Sequence, residues 1–383
     1  MPKAYLPDLS TLLKAGAAIG LTIFSGVGAL LYLYQNKLIY VASMPAGSRT
    51  NVATPDEFGM PDYEQLTLHT PDGVTIRAYL LLRPDAEQEE EAPRPTILFL
   101  HANAGNIGHR LPLVKVFYQK LRCNVLALSY RGYGLSEGEA DEKGIKIDAQ
   151  VALDHVLSHP SLEKTPIFLA TVAIFLASQN KTRVRGLIVE NTFTSLRRLV
   201  PSVMRDIQLL GTSTALLAPF LFLLHQIWPS IDLIDTLPVD FPVLFLSGDK
   251  DELVPQHHMT QLYVHCSSQN KHWRDFEHGT HSECRRFCRS GAERGGADPC
   301  LVAYTDDTCI QPLYFKHIAE FILRTLSTPT SDEEKSESST VSATVPSAPG
   351  SSIDSFELID REIDAAGGAN SVNVFEAAAK DKL

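Results

Sequence analysis

Asp251 and His281 offer the clearest chemistry in this sequence. Asp251 stands in Ser247-Gly-Asp-Lys-Asp-Glu-Leu-Val-Pro255, directly after the apolar run Val243-Leu-Phe-Leu246. A glycine turn followed by an acid suits a carboxylate held at a strand end. Such a carboxylate orients a histidine and supports its charged form. Asp249 and Glu252 compete for the same role. His281 closes His278-Gly-Thr-His281 and is the better placed of the two histidines to act as a base. A lone histidine is usually structural; this one gains weight by following the acid along the chain. A third stretch, His101-Ala-Asn-Ala-Gly-Asn106, comes after the apolar run 96–100. Its small residues let the backbone approach a ligand, and a backbone N–H there can stabilise an oxyanion, with Asn103 beside that position. Taken alone, an ordinary strand-to-helix turn explains that loop equally well.

An acid and a base imply a nucleophile, and the stretch that should carry one is Pro166-Ile-Phe-Leu-Ala-Thr-Val-Ala-Ile-Phe-Leu-Ala177. It reads as a buried strand running straight into a helix. The nucleophile's turn is expected between Leu169 and Val172, where only Leu-Ala-Thr-Val stands. Thr171 is the one hydroxyl nearby and lacks flanking glycines, so no nucleophile is assigned. Ser178 falls inside the next helix and Ser195 after the next strand; both read as structural. Cys284, Cys288, Cys300 and Cys309 have a spacing that matches no common zinc site. No metal and no cofactor are therefore expected, and Gly132-x-Gly134 is too little for a nucleotide site.

The elements that must position these residues alternate between strand and helix. Gln65–His69 and Val74–Leu80 alternate apolar and polar around Thr70-Pro-Asp-Gly73, which predicts an antiparallel hairpin. From Thr96 onward the pattern changes to continuously apolar runs at 96–100, 125–128, 167–169, 187–189 and 243–246, as strands buried on both faces require. Gly144–Leu157 repeats its apolar residues at helical spacing. Strands alternating with helices predict a mostly parallel sheet covered on both sides. The apolar stretch 209–228, broken by Pro219 and His225, reads as a cap over a site or an apolar insertion rather than a second membrane span.

Residues 15–34 are twenty uncharged, mostly apolar residues flanked by Lys14 and Lys37. That length crosses a bilayer core, and no signal-type cleavage site comes after it, so an uncleaved single-pass anchor is expected. The lipid bilayer is then one partner, at the endoplasmic reticulum, another endomembrane or the plasma membrane. The organisation expected is an arm over 1–14, the anchor over 15–34, a linker over 35–60, a catalytic-type domain over 61–326, and an acidic disordered tail over 327–383. The chain has 383 residues and a formal net charge of −11. The tail holds −7 of it, leaving −4 for the first 326 residues. That balance argues against nucleic acid as a partner and gives no strong field for an ionic substrate.

With Ser129-Tyr-Arg-Gly-Tyr-Gly-Leu-Ser-Glu-Gly138, these segments resemble the α/β-hydrolase superfamily. Within it, the chain is similar to the membrane-anchored bud-emergence family of fungi, which has animal and plant relatives. The resemblance runs from about Leu12 to Leu326. It rests on the N-terminal anchor, on 101–110, on Gly144-Ile-Lys-Ile-Asp148, on Glu190-Asn-Thr-Phe-Thr-Ser195 and on His225-Gln-Ile-Trp228. It implies an α/β-hydrolase fold and a serine hydrolase acting on acyl esters or thioesters, palmitoyl thioesters included. It also implies Asp251 and His281 as catalytic acid and base, and Asn103 near the oxyanion.

Two departures from that family stand at the catalytic corners. The family's Gly-x-Ser-x-Gly turn, roughly six or seven residues longer, is missing between the 167–169 strand and its helix. Residues 282–306 are inserted after His281, ahead of Asp307-Thr308. The two changes suggest one cause, either misplaced splice boundaries in the gene reading or a real non-catalytic isoform, which sequencing the transcript across both stretches decides. Loss of the turn also predicts frayed geometry at Leu169–Val172, because a central strand needs connecting residues before a packed helix. A non-catalytic membrane adaptor on a hydrolase frame is the competing reading.

Overall fold

The computed structural model describes residues 8–83, 94–171, 173–206, 218–281 and 313–328. The acidic loop 87–91, the insertion 282–306, four of the six cysteines and nearly all of the 327–383 tail lie outside the described residues.

The predicted hairpin is strands β1 (Glu64–His69) and β2 (Thr75–Leu81), paired antiparallel through Leu66↔Ala78 and Leu68↔Ile76. Its turn is closed by Thr70, whose Oγ1 donates to Val74 O at 3.0 Å and to Asp72 Oδ1 at 2.6 Å. The continuously apolar runs become β3 (Thr96–Leu100), β4 (Asn124–Ser129), β5 (Ile167–Thr171), β6 (Gly186–Glu190) and β7 (Val243–Gly248). A further strand, β8 (Lys271–Phe276), closes the far edge. The order is β1-β2-β4-β3-β5-β6-β7-β8, with β3 to β8 mutually parallel.

Continuous apolarity results from double coverage. One layer packs Leu98, Leu126, Leu169, Val189 and Phe245 beneath helices; the other packs Phe99, Val125, Phe168, Ile188 and Leu244. The helices are α1 (Leu9–Ile39), α2 (Leu111–Lys115), α3 (Glu142–Ser158), α4 (Ile174–Gln179), α5 (Leu196–Asp206), α6 (Ser230–Ile234), α7 (His257–His265) and α8 (Tyr314–Leu326). Asp141 caps α3 by accepting from Gly144 N at 2.6 Å. Within the 209–228 stretch, the described part is a 3₁₀ turn at Ala218–Leu223 and then extended chain.

An ion network, buried at Arg131 and Asp148 and exposed at Asp72, joins the hairpin's turn, β4's exit and α3. Arg131 donates from Nε and Nη2 to Asp148 Oδ1 at 3.0 and 2.8 Å, and from Nη1 to Asp72 Oδ2 at 2.6 Å. The Arg131 backbone N–H also donates to Asp148, at 2.7 Å. Gly144 leaves the space its stem fills; a Cβ there would meet Arg131 Nε at 2.5 Å.

Helix α1 is longer than the uncharged run and continues into the body of the protein. It is the one helix among the described residues long and apolar enough to cross a membrane, and its outer side chains are exposed. Its last turn is different. Gln35 is buried, accepts at Oε1 from His225 N at 2.9 Å, and donates to Leu223 O at 3.3 Å. Asn103 Nδ2 donates to Ile39 O at 2.7 Å. Tyr40 O–H donates to Gln226 Oε1 at 2.8 Å and receives Trp228 Nε1–H at 2.9 Å. Residues 44–54 then cross the carboxyl edge of the sheet, held by Gly105 N to Met44 O at 2.8 Å and by Asn106 Nδ2 to Ser48 O and Asn51 O, each at 2.9 Å. Gly108 permits that approach, since a Cβ would meet Ala53 N at 2.5 Å.

Candidate active site

β7 delivers the acid. Its buried run ends at Gly248, and the loop turns so that Asp251 Oδ1 accepts from Leu253 N at 2.9 Å and Val254 N at 2.7 Å. Its Oδ2 faces His281 Nδ1 at 2.8 Å. The carboxylate is almost wholly buried, with 1% of its side chain accessible, and the imidazole retains 12%. An ionised carboxylate only accepts, so Nδ1 carries the hydrogen and the ring's lone pair stands on Nε2. That is the tautomer of a general base, with the acid fixing its orientation.

The rivals for the acid's role have other work. Asp249 Oδ1 accepts from His278 N at 2.6 Å, and Glu252 Oε2 accepts from His281 N at 3.4 Å. Lys250 N donates to Gly279 O at 2.9 Å. The acid loop and the base loop are thus laced together along their backbones, and only Asp251 meets a ring. Asn191, just past β6, fastens the same corner. Its Oδ1 accepts from Gly248 N at 2.9 Å and its Nδ2 donates to Thr280 O at 3.2 Å. Its φ of 40° lies in the left-handed region, which Asn tolerates better than most side chains. Sequence reasoning gave it no role. The available signal was an Asn directly after a buried strand.

Asn103 lies at the carboxyl end of β3, as expected, but its side chain is engaged elsewhere. Its Nδ2 reaches Ile39 O, and its Oδ1 accepts Tyr133 O–H at 2.7 Å. The side-chain amide expected near an oxyanion is thus engaged at both its atoms. His101, two residues earlier, is buried between Tyr130 and Tyr133, with ring centroids at 4.6 and 4.9 Å.

At the elbow, β5 keeps its full pairing with β3 through Leu100↔Thr171. Through Thr171 the strand is not frayed against β3, while its register with β6 ends at Ala170↔Ile188; the chain reaches α4 with two residues between Thr171 and Ile174, and α4 is only six residues long. Val172 and the Thr171 side chain lie outside the described residues. A shallow, mostly apolar depression sits here, lined by Ala173, Ile174, Phe175, Thr192, Trp228, Ser230 and Leu233; the Ser230 hydroxyl is turned to Trp228 O at 3.5 Å. Neither Asp251 nor His281 lines it. Ser178 is buried and donates to Phe175 O at 2.7 Å, and Ser195 is buried at the head of α5.

No Gly-x-Ser-x-Gly was expected anywhere in the chain, but one does stand there, Gly134-Leu-Ser-Glu-Gly138. It comes after β4 rather than β5. Ser136 is 1% exposed; its hydroxyl donates to Ser129 O at 2.7 Å and accepts from Arg77 N at 2.9 Å. It closes a turn and ties β4 to β2, and has no role as a nucleophile. Among the described residues no cluster of His, Cys, Asp and Glu has the form of a metal site.

Two buried histidines are held neutral by their surroundings. Burial pushes His101 down to about 3 and His258 down to about 4, from an ordinary 6.5; His257 and Arg198 add to the effect at His258. His258 sits at the head of α7 with Nδ1 2.9 Å from Thr194 Oγ1, and its Nε2 is buried without a hydrogen-bond partner. The unfolded chain takes up protons below pH 6.5 that the native chain refuses, so stability falls on acidification from there toward pH 4. Each histidine adds a slope of up to about 1.4 kcal/mol per pH unit. Urea unfolding at pH 7 and pH 5 measures this, and His101→Phe should leave a shallower dependence. An unchanged slope in that variant rules the assignment out.

The strand order with one antiparallel hairpin, and an acid–base pair on the loops after β7 and β8, define the α/β-hydrolase frame. The Pyrococcus furiosus esterase superposes with a TM-score of 0.51 at 13% identity, covering 73% of this chain and 96% of that one. No family model matches the chain. Protein bem46 of Schizosaccharomyces pombe is 40% identical over 298 residues, 76% of this chain and 87% of that protein. An uncharacterized membrane protein of Saccharomyces cerevisiae is 38% identical over 274 residues, 70% of this chain and 89% of that one. The chain belongs to the bem46 family of α/β hydrolases.

Proposed function

We propose that this chain is a single-pass, membrane-anchored α/β hydrolase whose parent activity is cleavage of acyl esters or thioesters, palmitoyl-protein-like substrates among them. In this chain the acyl-enzyme route is closed. The observation that carries the reading is the contrast between two corners of one site. The Asp251–His281 pair is formed at 2.8 Å. The β5–α4 link, where the partner hydroxyl belongs, has two residues and no glycine. A nucleophile in this fold sits on a strained turn that also supplies one oxyanion N–H, so losing the turn removes both.

The anchor reading rests on the 31-residue helix and its exposed apolar surface, at an endomembrane or the plasma membrane. With turnover absent, the frame and the acidic tail suit a membrane adaptor, and that is the second reading.

Labelling with a fluorophosphonate probe tests the proposal. The purified chain in detergent should take up no label, while an active serine hydrolase run alongside labels fully. A modified residue within 160–180 would overturn the loss of catalysis.

A further inference from the structure

We infer that the carboxyl edge of the sheet, the edge that carries Asp251 and His281, faces the lipid surface, and that the turn bearing Phe222 dips into it. The inference rests on the reading of α1 as a membrane span and assigns a lipid-contact surface to the catalytic body itself.

The uncharged run ends at Tyr34, and twenty helical residues cover about 30 Å, the thickness of a bilayer's hydrocarbon core. Gln35 therefore stands at the boundary between hydrocarbon and headgroups, with Tyr32 and Tyr34 in the position interfacial aromatics favour. At that level the helix is joined to the turn 218–223 and the chain after it. Gln35 Nε2 donates to Leu223 O, Gln35 Oε1 accepts from His225 N, and the Tyr32 and His225 rings meet edge-on at 5.2 Å. Phe222 is the next residue back from Leu223, and consecutive Cα atoms are about 3.8 Å apart. It is 70% exposed. A large aromatic left bare one residue from a contact with a membrane helix, at the depth of the headgroups, has lipid as its neighbour.

The domain's orientation is set by what else the helix end touches. Ile39 is bonded to Asn103 after β3, and residues 44–54 cross the loops after β3 and β4. Tyr40 holds Trp228, which lines the depression at the end of β5. β3 to β8 run parallel, so all these strand ends, with the 251 and 281 loops, share one edge. The helix leaves from that edge, and the opposite edge, where Val239 precedes β7 with 56% exposure, points away from the bilayer. An acyl chain anchored in the membrane would approach the acid–base pair without crossing bulk water.

The full chain is reconstituted in phosphatidylcholine vesicles with the photocrosslinker p-benzoylphenylalanine replacing one residue at a time, at Leu30, Phe222 or Val239. Lipid adducts are counted by mass spectrometry after irradiation. Phe222→benzoylphenylalanine should give several-fold more lipid adduct than the same change at Val239, and an amount comparable to Leu30. Adducts at Leu30 with none at Phe222 overturn the inference and leave the anchor standing. Absence of adducts at Leu30 in vesicle-bound protein overturns the anchor reading and the inference with it. Equal adduct at Phe222 and Val239 overturns the stated orientation.

Discussion

A glycine-flanked serine turn of about six or seven residues, placed between Ala170 and Ala173, converts this chain into a fluorophosphonate-reactive esterase. The frame for it is already present. β5 is paired to its end with β3, and the acid–base pair is closed at 2.8 Å. Asn191 clamps the two loops that carry the pair. Removing a triad serine costs on the order of 10⁶ in turnover in a well-studied protease. Even an imperfectly seated replacement should raise hydrolysis of a p-nitrophenyl ester by at least about 10³-fold over the unmodified chain. In that background His281→Ala returns the rate to the unmodified level, and Asp251→Asn removes most of the gain, because the wrong tautomer then faces the serine. An activity that appears but does not respond to His281→Ala would show that the pair is not the machinery.

The largest loss of stability is expected from Arg131→Ala. Arg131 is 6% exposed and Asp148 not at all, so truncating the cation leaves a carboxylate buried without its partner. It also releases Asp72, which the guanidinium beside it holds well below the usual carboxylate range. Breaking a buried pair from one side costs about 3–5 kcal/mol, a large part of a domain's whole stability. Urea unfolding should show a midpoint shift of that size. Arg131→Met combined with Asp148→Asn should recover part of it, since no charge then stays buried and the amide oxygen still accepts from residue 131's backbone N–H. A single variant within about 0.5 kcal/mol of the parent would refute the account.

Most of the central sheet was legible because five of its strands are buried on both faces and read as unbroken apolar runs. β8 was not, because Lys271-His-Trp-Arg-Asp-Phe276 is an edge strand with several half-exposed polar residues and no such run. The pair at 251 and 281 was legible from glycine turns after strands. Choosing among Asp249, Asp251 and Glu252 needed coordinates, because three acids within four positions differ only in which backbone N–H or ring each reaches. Asn103 shows the opposite limit: the residue is where the sequence puts it, yet its amide is committed to the anchor helix and a tyrosine. Ser136 shows that a pentapeptide means nothing apart from the strand that precedes it. The elbow's missing residues were visible in the sequence, but that β5 stays paired with β3 through Thr171 was not. The strand's ladder to β3 is set by Leu98, Leu100 and their partners, and does not depend on the length of the link to α4.

The last turn of the long N-terminal helix belongs to two structures at once, and this governs how the polypeptide can be cut. Gln35, Ile39 and Tyr40 supply the acceptors and donors that the 223–228 chain and Asn103 use. A soluble fragment opened after Tyr40 would strip those partners and leave several polar atoms orphaned beside the bared Trp228. Excision of the apolar run has to stop ahead of Gln35, within an unbroken coil, so that a stub of that helix remains as a permanent piece of the folded body.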